Sequence, residues 1–489
     1  MNRRNFFTFS SSRTNDKKVP KPLEVSTGLE PYTAPLTIRS AGHALRRMTF
    51  GVSYPTLQSV VGKTATELFD QLAMPMQTDA VPSWANTIPT NPADFQLFQQ
   101  QRTELQSWLG NQMRKPILSL QEKMVFFLSH IYTSDTQKIR YAQFMLNNNQ
   151  KLRSACFGNL KSLATEMCKD SAMLIFLDGT ANRVGKPNEN FAREFFELFT
   201  LGVGNYTETD ILEASRAFTG WQVNPTSLDS RFVPNRFDNQ PKTIFGQAGN
   251  WGVDDVVRIT FEQPACAEFY VRKLYRFFVY EIITDFAEEN IIKPLAQLLR
   301  DSNYEIKPVL RKLFSSQHFF DNEFHGSEIK SPANFFIGFT NEVGAMNYPT
   351  NVVVLGMAIQ AQELLNPPTV QGWVGYRSWI NTVTLPQRQQ VCNLFLVNRT
   401  YLNTPLTPSY NWVNFAKQFP DNNDAHKLVK NIVDYLVSFD MAQSQIDALV
   451  DEMLAGLPAI YWDINGVTAP TQLLLLMKAI YNLPEYQLN

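Results

Sequence analysis

The chain lacks excess charge of either sign: 44 Lys plus Arg stand against 45 Asp plus Glu in 489 residues. That balance excludes the basic footprint with which a protein grips nucleic acid or an anionic membrane surface. Long apolar runs are missing as well. The best, Leu473 to Met477, is a fragment of an amphipathic helix and falls far short of the roughly 18 to 20 residues a membrane-spanning helix needs. Cysteine is scarce: Cys156, Cys168, Cys266 and Cys392 show no Cys-x-x-Cys spacing and no adjacent histidine, so they read as buried reduced thiols. The five histidines, His43, His130, His318, His325 and His426, include no His-x-x-x-His or Glu-x-x-His pair. A regular helical metal motif is therefore absent, and neither a metal nor a cofactor is expected. No Gly-x-Ser-x-Gly elbow marks a nucleophile, and GVGNYT follows a helix instead of a strand, so it reads as a helix C-cap and not a dinucleotide loop.

What the chain does have is apolar bulk. Apolar residues make up 44% and aromatics 12%, with 36 Phe, enough for a large core and incompatible with global disorder. From Thr37 onward apolar residues recur at helical spacing, and the short connections predict antiparallel neighbours. The expected fold class is all-α: one large, bundle-like multi-helix domain over residues 37–489. Two long irregular excursions, about 222–260 and 367–390, interrupt it where Pro, Gly, Asn and Asp collect. Residues 1–36 read as a flexible tail. It opens with MNRRNFF, the paired arginines of a twin-arginine export signal, but polar, basic SSSRTNDKKVPKP stands where an apolar h-region belongs. An atypical signal would place the protein in the periplasm or envelope; a plain tail would leave it in the cytoplasm.

The segment Pro187 to Trp221, PNENFAREFFELFTLGVGNYTETDILEASRAFTGW, holds the densest chemistry. Read as a helix from about Glu189 to Thr200, it puts Asn190, Arg193, Glu194 and Glu197 at i, i+3, i+4 and i+7. Phe191, Ala192, Phe195, Phe196, Leu198 and Phe199 cover the rest of the circumference. Most of the helix is thus expected inside, carrying the polar stripe with it, and buried charges demand partners. The first helix, IRSAGHALRRM, offers them in His43, Arg46 and Arg47, spaced on one side. Two readings stay open. Glu194 and Glu197 act as general acid and base, with His43, Arg47 and Arg193 holding charge. Alternatively, Arg193 and the His43/Arg46/Arg47 helix neutralise the two carboxylates in a buried ion-pair network. A Glu/Glu/His/His metal set drawing on His43 and His130 is the weaker idea, because a packed imidazole bonded to a carbonyl is commoner.

The second excursion brings Trp373, Tyr376, Arg377, Trp379 and Asn381 close together. Such a loop stacks on a sugar ring or a peptide and hydrogen-bonds its edges, or it plugs the core with its tryptophans. Asn190 joins these residues as a binding candidate.

The stretches HALRRMTFG, GKPNENFAREFFELFTLGVGNYTETDILEASRAFTGW, KTIFG, QGW with WIN, and LPEYQLN together resemble the bacterial family known as domain of unknown function 1800, in a Bacteroidetes-type form. The resemblance runs from about His43 to the C-terminus. It implies a mostly helical fold, an envelope connection, and a protein partner of the sulfatase- or phosphatase-like kind encoded beside many members; it implies no established activity. Members often carry His-Asp ahead of Lys-Thr, whereas this chain reads Phe237-Asp238 before Lys242-Thr243. Two functions follow as expectations: an envelope-linked binding or scaffold protein with a buried His/Arg/Glu centre, or a hydrolase or transferase acting on an envelope polymer.

Overall fold

The computed structural model describes residues 22–89, 91, 93–224, 227–396 and 410–489. The fold is all-α, with only short strands among the described residues. Helices begin where side chains can satisfy the orphan N–H groups of a first turn. Thr37, Thr64 and Thr207 each form a reciprocal capping box, and Asn159, Asp170 and Ser331 accept from the third residue beyond. From Tyr54 to Leu72 the chain forms two helices, Tyr54–Gln58 and Ala65–Leu72, separated at Gly62, which takes a φ of 85°.

The N-terminal stretch Ile38–Met48 is buried along nearly its whole length and packs on Ala425–Leu436. Phe95–Met113 lies against Thr350–Ile359, and Gln121–Ile131 against Ala142–Ser154. Near the end of the chain Gln443–Leu454 pairs with Ala469–Asn482. A single contiguous core, rich in Phe and Leu, runs through all of these.

Three expectations change. Leu23, Val25, Leu29 and Tyr32, expected in a flexible tail, pack on the core, and Leu36 is buried. The twin-arginine start lies outside the described residues. The first excursion is not merely irregular. It folds into two antiparallel hairpins, β1 (Trp221–Val223) with β2 (Ser230–Phe232) and β3 (Lys242–Ile244) with β4 (Gln247–Gly249), and then enters the helix Val253–Phe261. The buried Lys242 ammonium holds the loop before it by donating to the carbonyls of Asp238 at 2.6 Å and Gln240 at 3.0 Å. The second excursion ends early too, since Thr384–Leu396 is helical.

Candidate functional site

The central helix changes its hydrogen-bond spacing midway: Glu189–Glu194 is α-helical and Phe195–Thr200 is a π-helix. Thr200 Oγ1 donates to the Phe195 carbonyl at 2.6 Å, and the Leu201 amide reaches back to Phe196 at 2.8 Å, so the turn is one residue wider than an α-turn. Such π-turns recur at functional sites. The buried face is Phe191, Ala192, Phe195, Phe196 and Phe199. The polar stripe therefore does not go inside. Asn190 is exposed, and Arg193, Glu194 and Glu197 are half-buried at the surface. Arg193 forms a forked pair with Glu208, at 3.0 and 2.7 Å, and a longer contact with Glu189 at 3.4 Å. The Tyr206 hydroxyl donates to Glu197 at 2.8 Å. Partial burial, then the neighbouring Glu197 charge, raises the Glu194 carboxyl above its ordinary range.

His43, Arg46 and Arg47 are elsewhere, fully buried, and meet other partners. This corrects the expected pairing of the two motifs. Four phenylalanines outcompete the stripe for the interior, so the surface keeps the carboxylates and the first helix must be neutralised from the C-terminal half. Arg47 pairs with Glu328 and also donates to the Phe324 carbonyl at 2.9 Å and Ser327 Oγ at 3.0 Å. Arg46 donates to the Tyr435 carbonyl at 3.0 Å. His43 donates from Nε2 to the Phe319 carbonyl at 2.9 Å and stacks on His325.

The centre extends beyond the residues that sequence reasoning named. Lys123 donates to the Thr49 carbonyl at 3.1 Å and to Asn334 Oδ1, and lies 4.6 Å over the Phe50 ring. Burial pushes its ammonium down to about 7 against the pull of Glu328. Burial pushes the Glu328 carboxyl up to about 7 although Arg47 and Lys123 oppose that shift. Next to them Lys330 sits 3.6 Å over the Tyr486 ring and 3.9 Å from Glu342, whose other oxygen accepts the Tyr486 hydroxyl at 2.7 Å. Lys330 is depressed to about 8, first by burial. Glu342 had a readable signal, the lone charge in the helix PANFFIGFTNEV, whereas Lys123 stands beside Glu122 at the start of QEKMVFFLSHI and carried no such mark. Glu328, in the loop HGSEIK, had none.

The aromatic loop is seated from below and open above. Trp373 packs on His130, ring centroids 5.0 Å apart, and on Phe126 at 6.2 Å. Gly372, at φ 84°, lets the chain turn directly over Thr133 and His130. Tyr376 meets the edge of Tyr280 at 6.5 Å, and Trp379 is buried. Asn381 is a cap: its Oδ1 accepts from the amides of Val383 at 2.8 Å and Thr384 at 2.9 Å. Outward point Arg377 and Val374, the latter 85% exposed. Beside Trp373 a cavity of about 50 Å³ runs between Phe126, Leu364, Leu365 and Pro367, with Glu122, Asn148 and Asn149 at its polar side. Glu122 is held there by a forked pair with Arg153, at 3.0 and 2.6 Å.

Among the described residues no three His, Cys, Asp or Glu side chains converge as metal ligands. His130 donates from Nδ1 to the Phe126 carbonyl at 2.7 Å, and His318 lies between the Thr27 carbonyl and the Tyr275 hydroxyl at 2.8 and 3.0 Å. No described helix is long and apolar enough to cross a membrane.

Fold and site together define an all-α protein with charged groups tying its halves from within. The chain belongs to the family described as protein of unknown function, DUF1800, whose model matches residues 43–488. No curated protein and no solved structure matches it.

Proposed function

We propose that this protein is a non-catalytic, envelope-linked scaffold that binds a protein partner through the Trp373 to Asn381 loop. The observation that carries this reading is the two-sided build of the loop. Trp373, Tyr376 and Trp379 are anchored on the body while Val374 and Arg377 face outward beside an apolar cavity. Rigid display of one apolar and one cationic side chain suits protein recognition, because little order has to be created on binding. The use of His43, Arg47 and Glu328 as internal ties supports the same reading.

The partner is the sulfatase- or phosphatase-like protein that the family resemblance implies. Co-expression of the two with a tag on the partner tests this. Wild type is expected to co-purify, and Val374→Asp with Arg377→Glu is expected to lose the partner while melting as wild type does. A partner retained by the double variant removes the loop from the interface.

A second reading, a hydrolase or transferase with Glu194 and Glu197 as acid and base, is favoured by one observation: the raised Glu194 carboxyl beside Glu197 on the π-helical turn. A polymer substrate turned over by wild type and not by a normally folded Glu194→Gln protein would establish it.

A further inference from the structure

A second surface, far in sequence from the aromatic loop, has the makings of an insertion tip. Between the helices Gln443–Leu454 and Ala469–Asn482 the chain exposes Leu457 (53%), Ile460 (87%), Tyr461 (69%) and Val467 (98%). These side chains are held in place. Trp462 and Ile464 anchor the same loop in the core, the Trp462 indole donating to the Asn422 carbonyl at 2.8 Å, and Ala459–Tyr461 is a 3-10 turn. Solvating four apolar side chains on an anchored loop gives the fold nothing.

The charge around the tip narrows its occupant. No Lys or Arg occurs from Asn431 to Met477, while six acids do: Asp434, Asp440, Asp447, Asp451, Glu452 and Asp463. Asp434 pairs with Lys430 and, at longer range, with Arg39, Asp440 pairs with Arg39, and Asp447 faces His426. Asp451, Glu452 and Asp463, the three nearest the tip in sequence, are exposed and have no ion-pair partner among the described residues. Asp451 and Glu452 also lie in the last turn of their helix, where the macrodipole disfavours a negative charge. They are thus unfavourable to the helix and present their charge to the outside. These three unpaired acids disfavour an anionic lipid surface. A second copy would bring the same charges face to face.

We propose that the Leu457 to Val467 loop docks into an apolar socket rimmed by Lys or Arg on a protein partner, the acids setting orientation and the apolar tip supplying burial. The interface is independent of the Trp373 loop.

The test uses the full-length chain and two labelled amphipathic helical peptides of equal apolar content, one Leu/Lys and one Leu/Glu, read by fluorescence anisotropy. The Leu/Lys peptide is expected to bind, more weakly as salt is added, and the Leu/Glu peptide is not. Ile460→Asp discriminates between mechanisms, since it adds negative charge and removes apolar surface. Insertion predicts a loss of roughly tenfold or more in affinity; purely electrostatic attraction predicts tighter binding and overturns the proposal. Asp451→Asn with Glu452→Gln is expected to flatten the salt dependence. Val203→Asp, at an exposed position distant in sequence, is expected to change nothing. Equal binding of both peptides, or binding to phosphatidylcholine vesicles that Ile460→Asp abolishes, would assign the tip to non-specific or lipid contact and end the idea.

Discussion

His43 and His325 stack face to face in the interior, ring centroids 4.3 Å apart and 13° from parallel. His43 commits Nε2 to the Phe319 carbonyl, and its Nδ1 and the Nε2 of His325 are buried without a partner. Protonating either ring places a cation beside Arg46 and Arg47 in a medium that solvates it poorly. Burial and those arginines accordingly hold both rings below the usual imidazole range, His325 down to about 4. His130 is likewise held near 4, mainly by burial. A lowered folded-state value means that the unfolded chain binds more protons between about 6.5 and 4, so this stability is complete above that window and is lost as pH falls through it. Each imidazole lowered to about 4 accounts for about 3 kcal/mol across the window. Urea midpoints are expected to drop steadily from pH about 7 to about 5, and a flat profile would contradict the buried neutral pair.

The Arg47–Glu328 pair joins the first helix to the loop before Lys330, and its two halves are unequal. Arg47 keeps the Phe324 carbonyl and Ser327 Oγ when the carboxylate is gone, whereas Glu328 loses its closest cation when Arg47 is gone. Arg47→Met is therefore expected to cost about 3 to 5 kcal/mol. Glu328→Gln is expected to cost about 1 to 3 kcal/mol. The Glu328 carboxyl is raised to about 7, so the folded state binds its proton more tightly and its contribution falls as pH rises from about 4.5 to 7. Glu328→Gln should remove that fall, making the remaining rise of stability with pH steeper. Denaturant unfolding of both variants over this range checks the order and the slope together.

Periodicity made most of the helices legible, because apolar spacing and N-cap residues are local. The site was legible only in part. The stripe of Asn190, Arg193, Glu194 and Glu197 was visible, but its direction depends on which face wins the core, and the π-helical turn at Phe195–Thr200 has no sequence mark. His43, Arg46 and Arg47 were visible as a basic cluster; their partners lie some 280 to 440 residues away, as with Phe319, Phe324 and Asn489, and no spacing rule reaches that far. Hairpins β1/β2 and β3/β4 were hidden by their three-residue length, too short for an alternating pattern.

Gly110 lets the helix Phe95–Met113 approach Thr350–Ile359 closely. A Cβ there would lie 2.7 Å from Thr350 Cγ2 and 2.7 Å from Val354 Cγ2. In an open helix Gly→Ala gains about 1 kcal/mol, yet Gly110→Ala is expected to lose about 1 to 3 kcal/mol by overpacking. Val354→Ala in the same protein should recover part of that loss, a coupling that a double-mutant cycle measures as a departure from additivity.

Glu194 and Glu197 separate a surface stripe from an interior one. Neither carboxylate pairs with the first helix, and the nearest partners are the Tyr206 hydroxyl and the Arg193 charge. The raised Glu194 carboxyl means that the fold disfavours its charged form at neutral pH, so a neutral isostere relieves repulsion from Glu197. Glu194→Gln is therefore expected to leave thermal stability unchanged or slightly higher at neutral pH, and Glu197→Gln to lower it by less than about 1 kcal/mol. Arg47→Met, measured alongside, supplies the contrast of a buried pair. A loss of several kcal/mol in either glutamine variant would mean that the stripe is part of the interior network after all.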